Sequence, residues 1–292
     1  MIRSLIQHRL ITLVLALGFM TELSAQQPVY ETFRDTRVIN AHSVEVVPFR
    51  KMDVRISHRF GDMFGADGGW PTLYGIENAA DILFAFDFGV SDHTTVGISR
   101  TKGAGPLQKL VNGTVKINLT QQTDNGETPF TTTILGQISG STMARSTSPE
   151  DLNYFDHFLE RFVFHTQIMV ARRFSPRLSL QLSTGYTYRN LVPTDDINGL
   201  ISLGLIGRIQ IARRMAFLVD FTQPISTLRK PENGFYQPLG FGLEFDTGGH
   251  IFQINVTNAK GIIEADYIPY TYSNWGDGQF RLGFTINRLF NL

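Results

Sequence analysis

The sequence predicts an all-β protein: an antiparallel transmembrane β-barrel of about 12 strands, with short periplasmic turns and longer extracellular loops. Three observations carry that prediction. Apolar and polar residues alternate along a dozen segments, many of them long. The links between segments tend to be short at one end and long at the other. The chain opens on an export signal and contains no cysteine.

Arg3, His8 and Arg9 give the N-terminus a positive flank, and the apolar run "LITLVLALGFM" (10–20) is too short to span a bilayer. Small residues then offer cleavage after Ala25. Residues 1–25 therefore read as a signal peptide and 44–292 as the barrel. Residues 26–43 read as a periplasmic lead-in, with folding into the lumen as the alternative.

In "MDVRISHRF" (52–60), Met52, Val54, Ile56 and Phe60 share one face, and Asp53, Arg55, Ser57 and Arg59 the other. Successive strand side chains point to opposite faces, so this is a two-faced strand. "VNGTVKINLT" (111–120), "RLSLQLSTGYTYRN" (177–190) and "LGFGLEFD" (239–246) repeat the pattern. The segments fall near 50–61, 79–89, 94–102, 108–121, 130–141, 161–174, 177–190, 199–211, 214–224, 237–247, 249–258 and 278–290. Many exceed the usual soluble strand and suit the roughly 9–11 tilted residues that cross a bilayer.

Short turns follow the even segments at 90–93, 175–176, 211–214 and 247–250, with 122–129 somewhat longer. Long links follow most odd segments at 61–78, 141–160, 225–237 and 259–277. An even strand count puts both termini on the short-turn side. Tyr186, Tyr188, Phe84, Phe88, Phe162 and Phe174 resemble interfacial girdles. Charges fall mid-strand on the opposite face, which a watery or salt-bridged lumen admits and a sealed sandwich core does not. A secreted β-sandwich with those charges outside is the competing fold. The last segment ends in an apolar alternation back from Leu292, broken at Arg288.

"TFRDTRVINAHSVEVV" (32–47), "ISHRFG" (56–61), "FDFGVSDHTTVGISR" (86–100), "RRFSPRLSLQLSTGYTYRNLVP" (172–193) and "FDTGGHIFQINVTNAKG" (245–261) resemble, in matching order, a Gram-negative β-barrel family known only as a domain of unknown function. The resemblance covers about residues 32–290. It implies an outer-membrane barrel, names no substrate and carries over no catalytic residue.

Charge is balanced, 26 Lys+Arg against 26 Asp+Glu, which argues against a nucleic-acid partner. Asp246-Thr247-Gly248 is the aspartic-protease tripeptide, but that chemistry needs two copies and this chain has one. Thr247, Gly248 and Gly249 read instead as a tight periplasmic turn, with Asp246 accepting backbone N–H bonds. The seven histidines are scattered without ligand spacing, so no metal or cofactor site is expected. Asp195-Asp196 reads as a polar loop tip rather than an acidic catalytic pair. "SPEDLNYFDHF" (148–158) reads as a short helix capped by Ser148.

The expected lumen lining is Arg55, Arg59, Asp87, Lys116, His165, Arg208, Asp220, Glu244, Asp246 and Arg281, with Asp53, Asp81, Arg161, Arg177 and Arg189 on the same faces. With both signs present in a small bore, opposite charges can pair across it. The expectation is a narrow or occluded pore, a channel or transporter for small polar solutes. The alternative is a non-conducting barrel serving as an anchor or docking partner for another envelope protein, and an enzyme is a distant third. Expected partners are outer-membrane lipid and the barrel assembly machinery.

Overall fold

The computed structural model describes residues 27–29 and 31–292; the signal peptide read at 1–25 lies outside them. Two short strands, β1 (Arg37–Val38) and β2 (Ala41–His42), pair as a hairpin. Twelve further strands follow: β3 (Lys51–Phe60), β4 (Ala79–Ser91), β5 (Thr94–Thr101), β6 (Leu110–Thr120), β7 (Thr131–Ser141) and β8 (Phe162–Ser175). The rest are β9 (Leu178–Arg189), β10 (Gly199–Ala212), β11 (Met215–Ile225), β12 (Leu239–Asp246), β13 (Ile251–Thr257) and β14 (Arg281–Asn291). Each pairs antiparallel with its neighbour, and β14 closes on β3 with Ile286 opposite Ile56. Every edge is thereby removed, as a sheet immersed in hydrocarbon requires.

All twelve strands overlap the segments read from alternation. The reason is steric: a period of two keeps one row of side chains outside and the next inside for the whole strand. Ile98, Val115, Ile134, Ile168, Leu182, Leu203 and Ile254 stand on the outer wall, the apolar band that hydrocarbon covers. Among the described residues no helix is long and apolar enough to cross a membrane.

The turns at 92–93, 176–177, 213–214 and 247–250 lie at one rim. Both ends of the barrel chain meet there, where the Leu292 N–H donates to the Arg50 carbonyl at 2.9 Å. Register shifts at Gly89/Ser91, Asn118/Thr120, Arg173/Ser175 and Gln210/Ala212 bend four strands into that rim. Arg288, which interrupts the apolar row of β14, stacks its guanidinium 5.1 Å from the Phe290 ring at this interface. Arg172 does the same over Phe174 at 5.4 Å.

Two expectations change. Residues 148–158 do not form one helix. Short 3-10 turns at Leu152–Tyr154 and Phe158–Arg161 flank Phe155, whose left-handed φ of 49° turns its ring inward against Leu107, Leu110 and Val163. Ser148 makes no side-chain cap. The interior segment runs on through Val44 to Val47, and the barrel wall begins at Lys51, within the segment read at 50–61. The 259–277 link is not a simple outer loop: Ala259 and Gly261 to Pro269 are buried, with a one-turn helix α1 (Glu264–Tyr267).

Candidate functional site

Arg55, Arg59, Lys116, His165, Asp220, Glu244 and Arg281 are buried, while Asp87, Arg208 and Asp246 are half-buried. Arg208 of β10 and Glu244 of β12 pair along the inner wall, over β11, at 2.9 Å. Asp53, Asp81 and Arg189 are also inside, but Arg177 is exposed in the turn after β8. Arg161 sits in the turn before β8, its guanidinium 4.0 Å from the Phe155 ring. The turn at Thr247, Gly248 and Gly249 lies beside Lys51, Arg288 and Leu289. Gly248 takes φ +85°, and its N–H donates to the Asp246 carboxylate at 2.7 Å. Asp246 is thus a turn-forming residue that also faces Arg34 at 3.4 Å.

What the period of two did not reveal is how full the lumen is. Most of residues 32–47 lies inside the barrel, and beyond the β1–β2 pairing its backbone is held largely by wall side chains. The Asn40 and Ala41 N–H groups donate to Asp220, at 3.0 and 3.3 Å. Val44 N–H donates to Gln181 and Ile39 N–H to Gln253. Lys116 donates to the Glu45 carbonyl at 2.5 Å, and Arg55 makes a bidentate pair with Asp35. A buried backbone group left unpaired costs free energy, so these wall residues are what lets an irregular segment sit in the bore.

Packing adds to this. Phe33, Val38, Ile39, Ala41 and Val44 form one apolar cluster with Leu135, Met169, Ala171, Ile206 and Leu218, which point inward from β7, β8, β10 and β11. Ile39 takes φ +58°, unusual for a β-branched residue, and its side chain enters the space left by Gly240. A Cβ on Gly240 would stand 2.9 Å from an Ile39 methyl.

The second obstruction descends from the long-loop rim. Ile262, Ile263 and Ala265 pack on Leu83, Ala85 and Leu110, while Tyr267, Ile268 and Ala259 pack on Leu200. The loop is tied to the wall by Asp81, which accepts from the Ile262 and Gly103 N–H groups at 3.0 and 2.9 Å. Arg281 donates to Ser273 and to the Asn258 carbonyl. Burial, together with the charge of Asp81, pushes the Asp266 carboxyl up to about 8. Deep in the lumen the two obstructions meet: Arg37 of β1 lies 3.7 Å from Glu264 of α1, both buried.

A third cluster ties the 190–198 and 226–238 loops together at the long-loop rim. Asp196 is gripped by Arg229 through two hydrogen bonds and by Arg189 at 2.7 Å. Burial opposes its charge, yet the two guanidiniums hold its carboxyl down at about 2. Asp196 is therefore a structural anion rather than a free loop tip. Asp195 beside it is exposed. Among the described residues no group of three or more His, Asp or Glu is placed to hold a metal ion.

These features belong to a polar-lined barrel closed by two folded-in segments. Solved structures similar in fold include the NanC porin, at 10% identity and TM-score 0.49, covering 82% of this chain and 100% of that one. The COG4313 outer membrane channel from Pseudomonas putida F1 matches at 11% identity and TM-score 0.49, covering 86% and 100%. The KdgM porin matches at 6% and 0.48, covering 82% and 98%. At these values the likeness is one of barrel architecture alone. No curated protein matches the sequence. The model of a family described as a membrane bound beta barrel domain, DUF5777, matches residues 33–290, nearly all of the barrel and its lumen segment, and the chain belongs to that family.

Proposed function

We propose that this chain is an outer-membrane barrel providing a narrow, closable passage for small polar solutes, and that its closed state is the one described here. One observation carries the reading. Both obstructions are accessory to the wall: the twelve-stranded ladder closes on itself through β14 and β3 without either of them. Removing them leaves a complete barrel with Arg55, Arg59, Lys116, Asp220 and Glu244 facing the bore. Polar residues of both signs then line the path, which suits small polar solutes with little preference for charge.

The outer-membrane location follows from the same features. An even strand count, termini at the short-turn rim and longer loops opposite are the layout of bacterial outer-membrane barrels. A heat-modifiable band in the outer-membrane fraction is the expected result, and recovery as a soluble periplasmic protein is the contrary one.

The passage is tested in planar bilayers and by solute flux into proteoliposomes. The full chain should conduct rarely, and a variant lacking residues 27–48 should conduct steadily without strong ion preference. The apolar cluster between the N-terminal segment and the wall favours a second reading, a non-conducting barrel that anchors or docks an envelope partner. A folded deletion variant that carries no flux would support that reading instead.

A further inference from the structure

We propose that the outer wall of β5–β8 carries a binding site for a phosphorylated glycolipid of the outer leaflet, its acyl chain in a wall groove and its phosphate on a cluster of basic side chains above. The site uses none of the lumen residues. It takes from the reading above only that the long-loop rim faces outward.

The pairing registers place the parts in rows. Ile98, Gly113 and Ile138 lie side by side across β5, β6 and β7. One step nearer the long-loop rim come Arg100, Val111, Gly140 and Phe162. Gly113 and Gly140 put no side chain on the floor, the Phe162 ring leans over Gly140, and Ile98, Val111, Ile138, Phe158 and Phe162 line a groove of about 470 Å³. Such a groove in the hydrocarbon zone fits an extended acyl chain.

Above it the chemistry changes abruptly. The Arg100 guanidinium donates to the Thr142 hydroxyl at 2.9 Å. Arg161, on the other side of Thr142, is fixed by donating to the carbonyls of Ser141 and Met143 at 3.2 and 2.7 Å. Lys109 is in the next row, its carbonyl accepting from the Thr142 N–H and its own N–H donating to Lys102. Arg189 and Arg229 at the same rim are instead engaged by the buried carboxylate of Asp196 that they share. Among the described residues no carboxylate comes within 4.0 Å of the cationic groups of Arg100, Lys102, Lys109 or Arg161. Basic side chains gathered at one sector of a membrane interface attract anionic headgroups, and guanidiniums match the oxygens of a phosphate in particular. Apolar groove and unneutralised cations together describe an amphiphile with a phosphorylated head, which at an outward-facing rim is the phosphorylated glycolipid.

The test uses the purified full chain in a neutral detergent. Binding of bisphosphorylated lipid A is compared with that of its dephosphorylated form and of phosphatidylglycerol by native mass spectrometry. The expected result is at least tenfold preference for the bisphosphorylated form over both. The double variant Arg100→Gln with Lys109→Gln should lose tenfold or more, and Val111→Trp, which fills the groove, should also weaken binding. Both must keep the heat-modifiable band of the folded barrel. Equal binding of the dephosphorylated lipid, equal binding of phosphatidylglycerol, or unchanged binding by the folded double variant overturns the proposal. So does a stable dimer that covers β5–β8. Because binding is read in detergent, it is independent of whether the lumen conducts; surface labelling of Lys109 in cells tests the orientation separately.

Discussion

Arg37 and Glu264 meet at 3.7 Å in the buried lumen, although one belongs to the hairpin near the N-terminus and the other to a loop entering from the opposite rim. Neither Glu264 oxygen accepts a hydrogen bond from a described residue, so Arg37 is what offsets its burial. Arg37 is better supplied, donating also to the Asn40 carbonyl at 3.0 Å. The pair makes the two obstructions interdependent. Breaking a buried pair by removing one partner costs about 3–5 kcal/mol where the other charge is left bare. In Glu264→Gln the surviving charge keeps other partners, so a loss of about 1–3 kcal/mol is expected. Openings in planar bilayers should become several-fold more frequent, with the heat-modified band unchanged. Wild-type opening frequency in this variant would show that the two segments move independently.

Asp266 gives the loop a pH dependence with a definite sign. Its folded carboxyl titrates at about 8, far above an ordinary aspartate. Between about 4 and about 8 the seated loop holds a proton that a released loop gives up. Seating therefore weakens steadily across that window, and the slope vanishes above it. Opening frequency should rise from pH 5 to pH 8 and then level off. Asp266→Asn keeps an acceptor for the Ala104 N–H, 3.2 Å away, and should flatten the profile at the low-pH level. A slope that survives the substitution assigns the titration to another group.

The wall was legible in the sequence because each strand repeats a two-residue period long enough to count, and the charges at 55, 116, 220 and 244 fall on its inner phase. The contents of the lumen were not legible for an equally physical reason. Residues 31–48 have no period, since many of their backbone partners are side chains far away in sequence: Asn40 donates to a residue 180 positions on. Inward-facing Leu135, Met169 and Leu218 give no sign of their partners, because alternation shows which face a residue takes and not what covers it. A signal for the second obstruction was present. "GIIEADYIPY" (261–270) is too apolar for a loop in water, and its apolar residues are those that pack on Leu83 and Leu200.

The Asp196 cluster should lock the outer mouth over a wide pH range. The folded carboxyl sits near 2, below an ordinary aspartate, so its contribution is complete above about pH 4 and is lost only as pH falls through about 2. Asp196→Asn removes the charge that Arg189 and Arg229 share and leaves two buried guanidiniums repelling each other. Limited proteolysis at pH 7 should then cut near 191–198 or 226–238 at least tenfold faster than in the wild type. Equal rates would mean that the loops are held by their backbone contacts instead.

Gly240 provides the most direct way to unseat the N-terminal segment without touching a charge. The hairpin turn between β1 and β2 depends on Ile39 holding a positive φ, and Ile39 holds it with its side chain against the bare backbone of β12. A Cβ at Gly240 would lie 2.9 Å from an Ile39 methyl, closer than carbon atoms tolerate, and also 3.3 Å from the Thr257 side chain on β13. The wall cannot yield, since β12 is laddered to β11 and β13 on both sides. The hairpin must move, at a cost of about 1–3 kcal/mol for overpacking. Its shift also pulls the Asn40 and Ala41 N–H groups from Asp220. Gly240→Val should therefore expose residues 31–48 to protease from the periplasmic side and raise conductance, while the barrel keeps its heat-modifiable band. Pairing it with Ile39→Gly, which removes the clashing side chain and suits the positive φ, should restore protection in part. If the single variant stays closed and protected, the seat of the hairpin lies in its hydrogen bonds to Gln181, Asp220 and Gln253 rather than in this contact.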